Sequence, residues 1–324
     1  MQNKINRIKA FILLIVICFS FLSLNAQTVP GNSNDTLTFC FLSDSQEPLF
    51  IERLYLDYNH NAWARHLIFE RITRLAPEAV FHLGDFTGLG FMSDGWGETE
   101  DFVNNLTHHG TDFNPIPGNH EYIMFPEKSI YNFKRIFQNT NLTGYSKRYN
   151  NLAVLLFNSN FANLKQSEIN KQTSWYRDKI NELEADTTID FIIVGTHHSP
   201  YTNSKVVLPA TEDVSKGYFN NYLNPFYNSK KCRLFITGHT HAFEHFQVKG
   251  KDFLVIGGGG GLQQPVFTGR QEKYHDLYST SLEKRMFHFI TIRTFDKTLT
   301  IDLNMVNDNF TDFNIIPQFK FTKD

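Results

Sequence analysis

The chain has 324 residues, of which 41% are hydrophobic, with 31 basic residues, 33 acidic residues and 3 cysteines. Three cysteines are too few for a disulfide scaffold, and an ordinary hydrophobic core must therefore hold the fold together. The 32 Phe residues provide ample material for such a core. The absence of a long basic run argues against nucleic acid as a partner.

The N-terminus has the layout of a secretory signal peptide. Basic residues at positions 4, 7 and 9 precede an apolar run from Ala10 to Leu24, and Ala26 supplies a small residue for cleavage. A retained membrane anchor is the alternative, but a helix of this length spans only about 22 Å of a hydrocarbon core of about 30 Å. We therefore predict that residues 1–26 are removed. The exported chain would begin near Gln27, be periplasmic or secreted, and make no stable membrane insertion after cleavage.

Cleavage makes the chain more acidic. Without residues 1–26, 28 basic residues face 33 acidic ones, which is a net charge of about −5 with histidine neutral. Cys40 and Cys232 then remain, each in or beside an apolar strand. Two buried thiols are the preferred interpretation, and a single disulfide is the alternative.

The first part of the chain alternates strands and helices. Strands are predicted at TLTFCFLSD (36–44), EAVFHLGD (78–85) and DFNPIPGNHE (112–121). Helices are predicted at NAWARHLIFERITRLA (61–76), stopped by Pro77, at TEDFVNNLTHHG (99–110), closed by Gly110, and near residues 126–138. Strands alternating with helices are typical of βαβ units and a parallel sheet.

The second part begins as a similar alternation and ends in plain β structure. YSKRYNNLAVLLFNS (145–159) predicts a hairpin, and SEINKQTSWYRDKINELEAD (167–186) has the period of a long amphipathic helix. DFIIVGTHHSP (190–200) and CRLFITGHTH (232–241) predict strands. Residues 243–258 and 287–306 predict two further hairpins. With no internal repeat and no low-complexity linker, we predict one domain over residues 27–324, made of two packed sheets with helices on the outer faces.

Five predicted strands end in acidic, amide or imidazole side chains. These residues are Asp44, Asp85, Asn119 with His120 and Glu121, His197 with His198, and His239 with His241. Ligands gather at the carboxyl ends of strands in α/β sheets, and a glycine precedes Asp85, Asn119 and His239, where it permits a sharp turn. A single Gly-Asp pair would be an ordinary turn, but five such ends predict a shared site.

The chemistry of these side chains suits two divalent metal ions such as Zn, Fe or Mn. Two ions about 3.5–4 Å apart activate an attacking water and stabilise developing charge on a phosphoryl oxygen. The sequence therefore predicts a two-metal centre for displacement at phosphorus.

The order D…GD…GNHE…H-x-P…GHTHAFE, over roughly residues 38–262, resembles the calcineurin-like metallophosphoesterase family. GHTHAFE together with HSPY is particularly similar to the purple acid phosphatase branch. The resemblance implies an α/β fold of the four-layer αββα type, in which two packed mixed sheets are flanked by helices, with a two-metal site at its rim that hydrolyses phosphate esters.

The resemblance also implies a role for each matching residue. Asp85 would bridge the ions, with Asp44 and His241 on one metal. The other metal would be held by Asn119, His198 and His239. His120 would bind no metal, and would face the phosphate and protonate the leaving group. His198 is preferred over His197 because it stands in the His-x-Pro frame with Pro200, and the reverse assignment stays open.

Two positions depart from the family. Many members have a histidine where this chain has Gln46, and the purple acid phosphatases have a tyrosine three residues after the bridging aspartate, where this chain has Gly88. One metal thus lacks a usual ligand. Gln46 is a candidate ligand through its amide oxygen, which would favour Mn, Fe or Mg, or else a hydrogen-bond partner of a water on the metal. Without the tyrosine we expect no purple colour even with iron bound.

Two further segments adjoin the predicted site. The glycine run VIGGGGGLQQP (255–265) has neither a Walker lysine nor the spacing of a Rossmann fingerprint, so we expect it to give the backbone room near the metals. Glu244 and His245 follow the GHTH motif and are candidates for orienting a ligand histidine.

These patterns predict an exported, metal-dependent phosphoric ester hydrolase that acts on a small phosphorylated substrate. The acid-phosphatase resemblance favours a phosphomonoesterase in which water activated by two divalent ions attacks phosphorus. A phosphodiesterase or nucleotide pyrophosphatase on the same site is the enzymatic alternative. A binding protein with a degraded metal site is the alternative of another class, supported only by the missing ligand.

Overall fold

The structure is a computed structural model, and it describes residues 36–138, 140–212, 216–278 and 280–323. The described residues form twelve strands in two six-stranded sheets. In chain order the strands are β1 (Leu37–Leu42), β2 (Ala79–His82), β3 (Asp112–Pro115), β4 (Tyr145–Tyr149), β5 (Leu152–Leu156), β6 (Phe191–Thr196), β7 (Cys232–Thr237), β8 (Phe243–Val248), β9 (Lys251–Ile256), β10 (His288–Phe295), β11 (Thr298–Val306) and β12 (Phe313–Thr322). The predicted signal peptide lies outside the described residues.

Both sheets are mixed. The first sheet has the order β12-β11-β10-β1-β2-β3, and the second has the order β4-β5-β6-β7-β9-β8. In the first sheet β1, β2 and β3 are parallel, and β10, β11 and β12 extend it with antiparallel pairs. In the second sheet β5, β6, β7 and β9 are parallel, with β4 and β8 antiparallel at the two edges. The carboxyl ends of β1, β2 and β3 therefore share one edge, as do those of β6 and β7.

In the part of the chain that the structure describes, five α-helices accompany the sheets. They are α1 (Asn61–Leu75), α2 (Gly97–His108), α3 (Pro126–Ile136), α4 (Gln166–Ala185) and α5 (Lys216–Asn228). The end of α1 follows from the sequence, because Pro77 disfavours helical backbone before it and Ala76 leaves the helix with φ of 45°. The buried residues of α4 repeat every three to four positions, as in Ile169, Gln172 and Tyr176, which is the face that packs on the second sheet.

The hydrophobic core has three main layers of contact. The inner faces of the two sheets meet in one cluster, which includes Phe39 and Phe81 from the first sheet and Leu152 and Leu156 from the second. The outer face of the first sheet packs on α1 and α2, and that of the second on α4 and α5. This arrangement is the predicted αββα sandwich.

Two elements were not predicted from the sequence. Helix α5 lies in a stretch that contains Gly217 and Pro225, both poor helix formers, although its apolar residues at 219, 222, 223 and 226 have helical spacing and are buried. Strand β12 contains Pro317, which argues against a central strand but is tolerated here because β12 is an edge strand.

The described cysteines, Cys40 and Cys232, are buried and free, which confirms the prediction of two thiols. Among the described residues, no helix combines the length and the apolar character needed to cross a bilayer.

Candidate metal centre

The predicted site residues meet where the two sheets end. The first sheet contributes Asp44 after β1, Asp85 after β2, and Asn119 and His120 after β3. The second sheet contributes four histidines from the segments that follow β6 and β7, at positions 197, 198, 239 and 241. The structure thus brings together side chains up to 197 positions apart in the sequence, as Asp44 and His241 are.

Three of these residues have left-handed backbone. The φ angles of Asp44, Asp85 and His239 are 60°, 56° and 67°, which side chains with a Cβ rarely adopt. Hydrogen bonds hold this conformation, since Asp44 Oδ2 accepts from the His239 amide at 2.9 Å and the Asp44 amide donates to Gly84 O at 3.0 Å. Strain of this kind persists where surrounding contacts fix the chain, and it is concentrated at functional sites.

The first group of candidate ligands consists of Asp44, Asp85 and His241, and one ligand atom from each lies within 4.8 Å of the others. His241 Nε2 lies 3.4 Å from Asp44 Oδ1. Within the described residues that Asp44 oxygen is buried without a hydrogen-bond partner. Burial alone would lower the pKa of His241, but the neighbouring Asp44 carboxylate raises it. A buried carboxylate oxygen without a donor fits a bound cation.

The second group consists of His197, His198 and His239, which meet the same distance criterion. Asn119 Oδ1 lies 2.9 Å from His197 Nε2 and so joins this group. The His197 and His198 rings are each oriented through Nδ1, by Leu83 O at 2.9 Å and by Ser159 Oγ at 2.8 Å. Both rings can therefore present Nε2 to a metal.

The pKa values in the second group diverge. Burial and the neighbouring His197 lower the pKa of His198 to about 3, and burial together with His198 lowers that of His239. At His197 burial acts in the same direction, but the Asp85 carboxylate outweighs it and raises the pKa to about 9. Neutral imidazoles at 198 and 239 are the form that binds metal.

Asp85 lies between the two groups. It belongs to the first group, and its Oδ2 is also 3.3 Å from His197 Nε2 in the second. Its other oxygen, Oδ1, accepts from the His120 amide at 2.8 Å. Burial alone would raise the pKa of this carboxyl, but His197 and His120 hold it well below its usual range. This position and charge suit the predicted bridging role.

His120 lies beside the Asp85 carboxylate. Its Nε2 is 3.9 Å from Asp85 Oδ2, and its Nδ1 donates to Gly88 O at 2.7 Å. The donation to a carbonyl fixes Nδ1 as the protonated nitrogen. Nε2 is therefore the atom that faces the metal groups and that can exchange a proton with a substrate.

Glu121 has a role that the sequence did not reveal. Its carboxylate accepts three backbone N–H groups, from Asp85 at 3.0 Å, Phe86 at 2.9 Å and Gly118 at 2.7 Å. Glu121 thereby joins the loop after β2 to the loop after β3 and holds the backbone of Asp85. Its place in the string GNHE was the available signal, because a buried carboxylate needs several donors.

The glycine run packs against the ligand loops, as expected. Gly259 and Gly261 donate to Ser43 O and Asp44 O, each at 2.9 Å. A Cβ at Gly261 would lie 2.5 Å from His241 Cε1 and one at Gly259 would lie 2.3 Å from Ser43 O, so side chains are excluded there.

Glu244 and His245 do not orient a ligand histidine, which corrects the expectation from sequence. Glu244 accepts from Thr202 Oγ1 at 2.5 Å and from the Asn203 amide at 2.8 Å, and His245 pairs with Asp252 at 2.9 Å. Alternation along β8 points these two side chains to opposite faces of the sheet, and among the described residues neither forms a hydrogen bond with a ligand histidine. The orienting groups are instead backbone carbonyls, such as Leu262 O, which accepts from His241 Nδ1 at 2.8 Å.

A dense set of carboxylate, amide and imidazole donors at the joined ends of two packed sheets defines a hydrolase site for two divalent metals. Residues 37–243 match the family model of calcineurin-like phosphoesterases, and the chain belongs to that family. It is accordingly a metal-dependent phosphoric ester hydrolase that uses two divalent ions.

Solved structures share the fold. A purple acid phosphatase from yellow lupin superposes with a TM-score of 0.62 at 13% identity, covering 91% of this chain and 55% of the lupin protein. This chain thus spans about half of that relative. GAP50 of Plasmodium, described as the anchor in the inner membrane complex, gives a TM-score of 0.64 at 14% identity, covering 89% of this chain and 88% of the GAP50 chain. A dimetal phosphatase from Danio rerio gives a TM-score of 0.55 at 13% identity, covering 87% of this chain and 98% of the phosphatase chain. No curated protein matches this chain.

Proposed function

We propose that this protein is an exported phosphomonoesterase that releases phosphate from a small ester. The observation that carries the proposal is the position of His120, held through Nδ1 by Gly88 O at 2.7 Å and with Nε2 beside the bridging Asp85 at 3.9 Å. An imidazole fixed in this way can donate a proton to the leaving oxygen of an ester bound at the metals.

The residues of the centre divide the work. Asp44, Asp85 and His241 would hold one ion, and Asn119 and His239, with His197 or His198, the other. The ions, when bound, supply Lewis-acid stabilisation of phosphoryl oxygen and lower the pKa of water. His120 positions the phosphate and protonates the departing alcohol.

The monoester preference is supported by a cavity of about 260 Å³ that adjoins Gly88. Its lining combines apolar side chains such as Leu49 and Met92 with the carboxylates of Glu47 and Asp94, and no lysine or arginine of the described residues lines it. The Asp94 carboxylate would repel a leaving group that carried further phosphate, whereas Glu47 is paired with Arg65 at 3.4 Å. A compact, uncharged leaving group fits better than the diphosphate portion of a nucleotide.

The test compares three substrates on chelator-stripped protein reloaded with Mn²⁺, Fe²⁺ or Zn²⁺. We expect metal-restored hydrolysis of p-nitrophenyl phosphate, at a kcat/KM at least about tenfold above that for bis(p-nitrophenyl) phosphate and for ATP. The variant His120→Asn should lower kcat by about 10²–10⁴-fold while the metal content stays unchanged. Faster cleavage of the diester would overturn the monoester assignment, and metal binding without turnover of any ester would favour a binding protein.

Export is proposed from residues 1–26, whose basic start, apolar run and Ala26 are typical of a signal peptide. Expression of the full chain in a Gram-negative host should give a periplasmic or secreted protein whose N-terminal sequence begins near Gln27. An uncleaved chain in the membrane fraction would contradict this.

A further inference from the structure

The side chain of Gln46 lies in the first ligand group and is fully buried, with 0% exposure. Two backbone carbonyls determine the orientation of its amide. In that orientation Nε2 donates to the main-chain oxygens of Asp44 at 3.1 Å and Asp85 at 3.2 Å, and Oε1 faces His241 Nε2 at 3.1 Å. Both amide protons are thus used on the two strand-end loops, and the oxygen points toward the other ligands.

This arrangement brings acceptors together. His241 donates through Nδ1 to Leu262 O at 2.8 Å, so Nε2 is the ring atom left to bind a proton or a metal ion. Gln46 Oε1 faces that nitrogen at 3.1 Å, and Asp44 Oδ1, which has no partner among the described residues, lies 3.4 Å from it. Facing acceptors repel unless a proton or a metal cation lies between them. Metal–ligand bonds of about 2.1 Å place adjacent ligand atoms about 3.0–3.4 Å apart, which is the spacing seen here.

The second group repeats the pattern with other residues. Asn119 Oδ1 faces His197 Nε2 at 2.9 Å, and His197 donates through Nδ1 to Leu83 O at 2.9 Å. A carboxylate oxygen, Asp85 Oδ2, lies 3.3 Å from the same Nε2. Each group therefore contains one amide oxygen, one imidazole nitrogen fixed by a backbone carbonyl, and one carboxylate oxygen. Gln46 occupies in the first group the position that Asn119 occupies in the second.

Gly88 cannot supply the missing donor. A Cβ at this position would lie 2.6 Å from Glu47 O and 2.9 Å from Leu49 Cδ2. The segment that follows Gln46 therefore occupies the space into which a side chain at 88 would project. The same segment that blocks position 88 carries Gln46 into the ligand group.

We propose that Gln46 Oε1 is a ligand of the first metal ion. The proposal rests on the two-metal centre described above. It makes the first site oxygen-rich, with Asp44, Asp85 and Gln46 around a single imidazole, His241, whereas the second site holds several imidazoles. Hard oxygen donors favour Mn²⁺, Fe²⁺ or Mg²⁺ over Zn²⁺, so the two sites differ in metal preference.

To test this, the protein is expressed from the full chain, stripped of metal with a chelator and titrated with Mn²⁺ by calorimetry. We expect two binding steps in the wild type, and in Gln46→Ala a loss of about 10–100-fold in one step only. Gln46→His should restore that step and shift its preference toward Zn²⁺, because imidazole is the softer donor. The control Gln172→Ala removes a buried glutamine that bonds Asn158 O and Tyr222 Oη, and it should lower stability without changing either step.

A second measurement separates ligation from backbone support. With Co²⁺ in the first site, Gln46→His should change the visible absorption spectrum, because one ligand atom changes from oxygen to nitrogen. An unchanged spectrum, or Gln46→Ala with both binding steps within about twofold of wild type, would overturn the proposal. If Gln46→Ala does not fold, the Gln46→His spectrum decides alone. Two metals bound without ester hydrolysis would refute the proposed function and leave this ligand role intact.

Discussion

Two adjacent histidines after β6 differ in their surroundings more than in their sequence context. His197 Nε2 contacts both Asn119 Oδ1 at 2.9 Å and Asp85 Oδ2 at 3.3 Å. His198 is held by Ser159, whose Oγ is 2.8 Å from Nδ1, and its ring centroid lies 4.5 Å from that of His239. The His-x-Pro spacing favours His198 as the ligand. The contacts with Asn119 Oδ1 and Asp85 Oδ2, in contrast, place Nε2 of His197 among the other candidate ligand atoms. Both remain in the candidate set.

Single substitutions would show which of the two histidines contributes more to metal affinity. We expect His197→Ala to weaken the second Mn²⁺ binding step by about 100-fold and His198→Ala by about tenfold or less, because His197 makes the closer contacts with Asn119 and Asp85. Calorimetric titration of the stripped variants measures both. His108→Ala, in an exposed helix end away from the ligands, is the control. A larger loss in His198→Ala would support the His-x-Pro assignment instead.

At the level of elements, the loops after the strands are shaped by backbone packing as much as by ligand chemistry. The glycine run after β9 lies against the Asp44 loop through two hydrogen bonds, from Gly259 and Gly261, each of 2.9 Å. Glu121 holds the Asp85 loop through three backbone N–H groups. The candidate metal ligands therefore depend on residues that are not themselves ligands.

Gly261→Ala tests this dependence. The added Cβ would lie 2.5 Å from His241 Cε1, so the ring must shift, and we expect the first Mn²⁺ step to weaken by at least about tenfold. Gly97→Ala is the matched control, because a Cβ there meets nothing within 4 Å at the start of a helix. Metal titration and thermal unfolding of both variants are the measurements. Wild-type affinity in Gly261→Ala would show that the histidine does not need this close packing.

Across the protein as a whole, the two sheets are joined by polar contacts as well as by their shared core. Asp112 on β3, at the edge of the first sheet, accepts from Lys147 at 2.9 Å and from Tyr149 at 2.5 Å on β4, at the edge of the second. Burial alone would raise the pKa of Asp112, but the hydrogen bonds from Tyr149 and Lys147 lower it below its ordinary value of 3.8. The ionised form is thus favoured by folding.

The lowered pKa of Asp112 determines how its contribution to the free energy of unfolding changes with pH. A carboxyl whose pKa is lowered by folding contributes stability above its unfolded pKa, and this contribution is lost as pH falls through the folded value. We expect Asp112→Asn to reduce the free energy of unfolding by about 0.5–1 kcal/mol at pH 7, since the group is partly exposed and screened by solvent. The difference from wild type should shrink as the pH falls below about 3.8.

Urea unfolding across this pH range measures the difference. Lys147→Met removes one partner and, combined with Asp112→Asn, completes a double-mutant cycle. A difference that stays constant from about pH 7 to about pH 3.5 would mean that the charge of Asp112 does not contribute.

Local patterns in the sequence were enough to establish the class of fold, the order of most elements and the identity of the candidate ligands. Period-2 and period-3.6 patterns are local, and polar residues directly after buried strands stand out because they have no packing purpose. These patterns did not predict α5 and β12. Gly217 and Pro225 disfavour a helix and Pro317 disfavours a strand, but tertiary packing stabilises both elements.

The arrangement of the ligands, in contrast, depends on tertiary packing. The orientation of the Gln46 amide depends on carbonyls of two separate loops, and the space at Gly88 is filled by Glu47 and Leu49. The contacts of His197 with Asn119 and Asp85 join strands of different sheets. Distances between side chains far apart in the chain are set by how the sheets pack, and no local pattern in the sequence encodes them.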